Sequence, residues 1–130
     1  MSREYHYEKR IGLSFSIRDG RITIYRSTLE LLEFPEFYRF LYYPEKEKIA
    51  IEACGIDDKG AHRMPKLKKR VSCDVKSMAM VRLLYRNCGW NPKVSYRVLG
   101  KKIDDKKLVD FDLSKAEIIK RDGADTKKEG

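Results

Sequence analysis

The chain has 130 residues, 42% hydrophobic and 38% charged, with a net charge of +9 and a pI near 9.5. That suffices for one ordinary domain, or two half-size ones sharing a core, and no apolar run approaches the roughly 20 residues that span a bilayer. Three cysteines, Cys54, Cys73 and Cys88, are an odd number at wide spacing, a pattern that argues against a disulfide framework or a close-paired zinc site.

The first ten residues hold Arg3, Glu4, Glu8, Lys9 and Arg10 and no apolar stretch, so the sequence predicts no secretory signal and a cytoplasmic protein with reduced thiols. Residues 11–25 alternate apolar and polar side chains, with Leu13, Phe15 and Ile17 on one face. Ile22 and Ile24 follow a break at Asp19-Gly20, a short-range hairpin signal. Ser27 or Thr28 can cap a short helix through Leu29, Leu31 and Leu32, which Pro35 must end. Aromatic-rich residues 37–43 and the alternation at Ile49-Ala50-Ile51 predict a second hairpin across the turn at residues 44–48.

Residues 55–65, with Asp57, Asp58, Gly60 and Pro65, read as a linker. The order of elements then begins again: a strand around residues 70–73, and a helix capped by Ser77 with Met80, Val81, Leu84 and Cys88 on one face. Gly89 is placed to stop that helix, with Pro92 beyond. Residues 94–99 and 108–113 form another hairpin around the polar turn 100–107, with Val109, Phe111 and Leu113 facing one way. Trp90 is expected to plug the core between the halves. Residues 120–130 carry no apolar side chain beyond Ala124 and read as a disordered tail.

The halves correspond in residue type. Arg21-Ile22-Thr23-Ile24 matches Arg70-Val71-Ser72-Cys73, Leu31-Leu32 matches Leu83-Leu84, Tyr38-Arg39-Phe40-Leu41 matches Tyr96-Arg97-Val98-Leu99, and Ile49-Ala50-Ile51-Glu52 matches Val109-Asp110-Phe111-Asp112. Neither half alone has a comfortable core. The expected fold is therefore α+β and predominantly β, two strand-strand-helix-hairpin units packed into one compact barrel-like core. Residues 1–54 and 66–119 would be the units and 55–65 the connection.

The order strand, strand, short helix, strand, strand, with Gly20-Arg21-Ile22-Thr23-Ile24 running into Leu29-Glu30-Leu31-Leu32, resembles the swapped-hairpin DNA-binding domain of AbrB-type transition-state regulators. The resemblance covers residues 11–53 and, more weakly, 66–118. Tyr25 stands where that family usually has a proline, and Pro35-Glu36 where it has a Gly-Asp box. It implies two units interlocked in one barrel, here fused in one chain, with first-hairpin arginines meeting DNA backbone and grooves.

Charge distribution adds an independent pointer. Between residues 62 and 76, Arg63, Lys66, Lys68, Lys69, Arg70 and Lys76 face one acid, Asp74, and Arg18, Arg21 and Arg26 lie on or beside the first hairpin. Such clusters suit phosphate, and guanidinium groups can pair bidentately with phosphate or guanine. No nucleophile elbow, P-loop, dinucleotide fingerprint or H-E-x-x-H is present, and two histidines offer little general-base capacity. The sequence thus predicts a small non-enzymatic DNA-binding protein without metal or cofactor, a transcriptional or mobile-element regulator. The alternative is a protein-binding inhibitor or adaptor, as phages encode, acting on a host nucleoprotein machine.

Overall fold

The computed structural model of the chain describes residues 10–66 and 72–119. In chain order the elements are β1 Gly12–Ser16, β2 Arg21–Ile24, α1 Arg26–Leu31, β3 Phe37–Tyr43, β4 Lys48–Cys54 and β5 His62–Arg63. There follow β6 Cys73–Lys76, α2 Met78–Cys88, β7 Ser95–Lys102, β8 Leu108–Asp112 and β9 Glu117–Ile119. All nine strands join one antiparallel sheet in the order β5-β3-β4-β8-β7-β1-β2-β6, with β9 also on β7. The fold is α+β and mainly β, its sheet curled into a half-barrel.

Alternation decides which side of the sheet is buried. Leu13 and Phe15 of β1, Ile22 and Ile24 of β2, Ile49 and Ile51 of β4, and Val109 and Phe111 of β8 all fall below 2% exposure. Leu29 and Leu32 at α1 and Val81, Leu84 and Tyr85 of α2 join the same cluster. Each such aliphatic or phenyl side chain stabilises the fold by about 1.5–3 kcal/mol on burial. Trp90 reaches both halves, stacking on Tyr96 at 4.5 Å and lying 5.6 Å from Phe15 and 5.2 Å from Tyr85.

Several details differ from the expectations. β1 pairs with β2 as far as Ser16 opposite Arg21, so the hairpin loop is residues 17–20 rather than a two-residue Asp-Gly turn, and Ile17 lies in it. Of these residues only Gly20 has positive φ, 61°, whereas a type I′ turn requires it at both centres. That glycine is fixed by close approach: a Cβ there would lie 2.9 Å from Met78 Cα, and Ser77 N donates to Gly20 O. α1 starts two or three residues earlier than a cap at Ser27 or Thr28 would place it, with Tyr25 at its N-cap. Thr28 is buried, and its hydroxyl accepts from Gly12 N and donates to Gly12 O, both at 2.9 Å.

The segment expected as a plain linker is exposed over residues 55–60 but then supplies β5, which pairs His62 with Tyr38 and Arg63 with Phe37. Pairing with β3 makes a strand of two polar residues that carry no alternation signal. The strand expected at residues 70–73 is described as Cys73–Lys76, with residues 67–71 outside the described part. Ser77 stands at the N-cap of α2, without a side-chain capping bond, and Gly89 closes it in the left-handed region at φ 67°. β7 runs past Leu99 to Lys102, leaving residues 103–107 as the turn. The expected tail, residues 120–130, lies outside the described residues.

Candidate functional site

The same alternation that buries Leu13, Phe15, Ile22 and Ile24 puts Ser14, Ser16, Arg21 and Thr23 on the outer side of the β1–β2 hairpin. Register extends this outer face over neighbouring strands. Thr23 lies opposite Ser14 and Asp74, and Ser14 opposite Arg97, which in turn faces Glu117. This row is closed at both ends by polar pairing: Thr23 Oγ1 donates to Asp74 Oδ1 at 2.7 Å, and Arg97 Nε to Glu117 Oε1 at 3.4 Å.

The next row is different in charge. Arg21 stands directly opposite Lys76 across β2 and β6, with Ser16 on its other side. Like charges directly opposed across an antiparallel pair destabilise a sheet. The counter-charge beside them is Asp19, whose Oδ2 lies 3.2 Å from Arg21 Nη2 and 3.3 Å from Ser16 Oγ. Arg18 is exposed in the hairpin loop and makes no ion pair among the described residues.

A groove of about 900 Å³ runs along this face. Its floor is Ser14, Ser16 and Thr23, one wall is Arg18 and Asp19 of the hairpin loop with Arg21 of β2, and the other is residues 92–95 with Ile118 and Ile119. The second wall is fixed from behind. Tyr85 of α2 lays its hydroxyl 2.6 Å from Val94 O and 3.2 Å from Phe15 O, while Asn91 Oδ1 accepts from Lys93 N at 2.9 Å and the Tyr96 hydroxyl from Asn91 N at 2.9 Å. Burial pushes the Tyr85 phenol up to about 12, so it keeps its proton and its hydrogen bond at neutral pH.

Chemically, the groove has hydroxyls on its floor, those of Ser16 and Thr23 donating to Asp19 and Asp74, and cations at its rim that can bind oxyanions. Among the described residues Asp19 is its only carboxylate, and neither imidazole nor thiol lines it. The three cysteines lie elsewhere, each thiol pushed up by burial. Among the described residues no group of three or more His, Cys, Asp or Glu could hold a metal ion, and no helix is long and apolar enough to cross a membrane.

Of the basic residues singled out by sequence, Arg18 and Arg21 line the groove and Lys76 flanks it. Arg26 is engaged elsewhere, 3.2 Å from Glu30 and 5.4 Å above the Phe34 ring. Arg63, on the strand at the other end of the sheet order, pairs with Glu36 at 3.5 Å and lies 4.8 Å above the Phe37 ring. Lys66 is exposed. Lys68, Lys69 and Arg70 lie outside the described residues. Sequence reasoning missed Lys93 and the hydroxyl floor. One signal was available: three of the four outward positions of β1 and β2 are the short hydroxyl residues Ser14, Ser16 and Thr23, with Arg21 the fourth.

No known protein family matches the sequence, and neither curated proteins nor solved structures give a significant match.

Proposed function

We propose that this protein is a non-enzymatic nucleic-acid-binding protein, a DNA-binding regulator that grips the phosphate backbone of duplex DNA with the outer face of β1, β2 and β6. The observation that carries this reading is the opposed Arg21–Lys76 pair beside a hydroxyl-floored groove rimmed by Arg18 and Lys93. A cross-strand cation pair weakens the free protein and is relieved by a bound anion. The net charge of +9 supplies long-range attraction to a polyanion. Among the described residues the groove lining holds no aromatic platform for stacking bases, the Phe15 ring being only 1% exposed. That favours backbone contact with a duplex over single-strand binding.

The reading includes an internal duplication, supported by register. β4 meets β8 with Ile49 opposite Phe111, Ala50 opposite Asp110 and Ile51 opposite Val109. Aligning residues 49–51 with 109–111 makes this a two-fold arrangement centred on Ala50 and Asp110. β2 also meets β6 antiparallel, with Ile24 directly opposite Cys73, the residue it matches. β5 on β3 and β1 on β7 are the corresponding outer pairs, Tyr38–His62 answering Tyr96–Phe15. The first strand of the second unit is then β5, not a strand after residue 65.

One feature favours a protein partner instead: Ile118 is 51% exposed at the groove wall and Leu99 43% exposed on the same strand system. Fluorescence anisotropy with random-sequence duplexes separates the two. The variant carrying Arg18→Gln, Arg21→Gln, Lys76→Gln and Lys93→Gln should bind every duplex about tenfold or more weakly, because phosphate contacts carry no base information. Absence of duplex affinity in the wild type at low salt would leave the protein-partner reading.

A further inference from the structure

We propose that Asp19 is an internal stand-in for a backbone phosphate, seated where the groove takes its ligand and displaced when nucleic acid binds; this rests on the reading of the groove as a nucleic-acid interface. A single carboxylate oxygen, Asp19 Oδ2, lies 3.3 Å from the Ser16 hydroxyl and 3.2 Å from the Arg21 guanidinium. One hydroxyl and one guanidinium converging on one anionic oxygen are the donor set that binds a phosphate oxygen. Among the described residues Asp19 is also the only carboxylate lining the groove, against the three cations Arg18, Arg21 and Lys93. The protein therefore shows where an external anion goes by holding an internal one there.

The pair is built to open. Both side chains are 41% exposed, so their attraction is weakened by solvent and salt. Asp19 belongs to the four-residue hairpin loop, outside the paired register that ends at Ser16 and Arg21. A lone phosphate ion must compete with a tethered carboxylate and gains only two donors. A polymer that also reaches Arg18, Lys93 and Lys76 gains several contacts at once, so the carboxylate favours polymeric phosphate over the free ion. Its release leaves Arg21 free for one further phosphate contact.

The test is duplex affinity by fluorescence anisotropy across a salt series for wild type, Asp19→Asn, Arg21→Gln, the Asp19→Asn/Arg21→Gln double variant, and Asp57→Asn as an exposed-charge control. Asparagine before Gly20 suits the turn, and circular dichroism confirms folding. Asp19→Asn should tighten binding roughly threefold to tenfold, whereas Asp57→Asn should change it less than twofold, roughly the effect of one remote screened charge. The gain should vanish in the Arg21→Gln background. Excess inorganic phosphate should compete no better with wild type than chloride at equal ionic strength, and measurably better with Asp19→Asn. If the wild type binds and Asp19→Asn binds equally, or tightens as much without Arg21, Asp19 is no stand-in while the interface stands. If neither protein binds any duplex, both readings fall.

Discussion

Lys76 stands directly across the β2–β6 pair from Arg21, two cations in register on the outer face of the sheet. Opposed like charges cost a strand pair a few tenths of a kcal/mol to about 1 kcal/mol. Lys76→Glu should therefore raise stability by about 0.5–1 kcal/mol, a rise of a few degrees in Tm by calorimetry. The same change should weaken duplex binding severalfold. A variant that is both more stable and binds less well would show that the pair serves binding and not the fold.

Gly20 joins the hairpin loop to the start of α2, and its positive φ leaves no room for a Cβ against the Met78 backbone. Gly20→Ala is expected to cost about 2 kcal/mol or more, measured by urea denaturation, because strain and a backbone clash add. Since Arg18 and Asp19 share that loop, duplex affinity should fall as well.

Thr28 holds both backbone groups of Gly12 from the buried side of α1. Thr28→Val is nearly isosteric and leaves Gly12 N and O without that partner inside the protein. The expected loss is about 2–3 kcal/mol in urea, with little change in duplex affinity, because Thr28 lies away from the groove.

Alkaline stability should be set by buried phenols and thiols. Burial raises the Tyr85 phenol to about 12, and Tyr38 moves the same way, by burial and then by the Cys73 thiol beside it. A raised pKa in the folded state means stability that is complete below the ordinary tyrosine value near pH 10 and is lost as pH rises through the folded value. Cys73 and Cys88, raised by burial, begin the decline from about pH 9. Chemical denaturation from pH 7 to 12 should show falling stability, and Tyr85→Phe should have a shallower decline above pH 10. At neutral pH the same variant should lose about 1 kcal/mol with its bond to Val94 O.

Much of the fold was legible where side chains alternate against a buried face. Leu13 with Phe15, Ile22 with Ile24 and Val109 with Phe111 marked their strands, and Ser77, Val81, Leu84 and Gly89 bounded α2. His62-Arg63 was not legible, because a two-residue polar strand exists only through its partner β3. Glu117–Ile119 was missed for the same reason, being a strand by virtue of β7. The groove was half legible: Arg18 and Arg21 follow from the hairpin, but Lys76 and Lys93 reach its margins through register and through the Tyr85 tether, which local pattern does not encode.

The most direct measurement is amide chemical-shift perturbation in an isotope-labelled sample titrated with a short random-sequence duplex at low salt. The expected shifts cluster at residues 14–23, 74–76 and 92–95, the margins of one groove. Shifts centred on Phe37, His62 and Arg63, or no shifts at saturating duplex, would contradict the assignment of that face as the nucleic-acid interface.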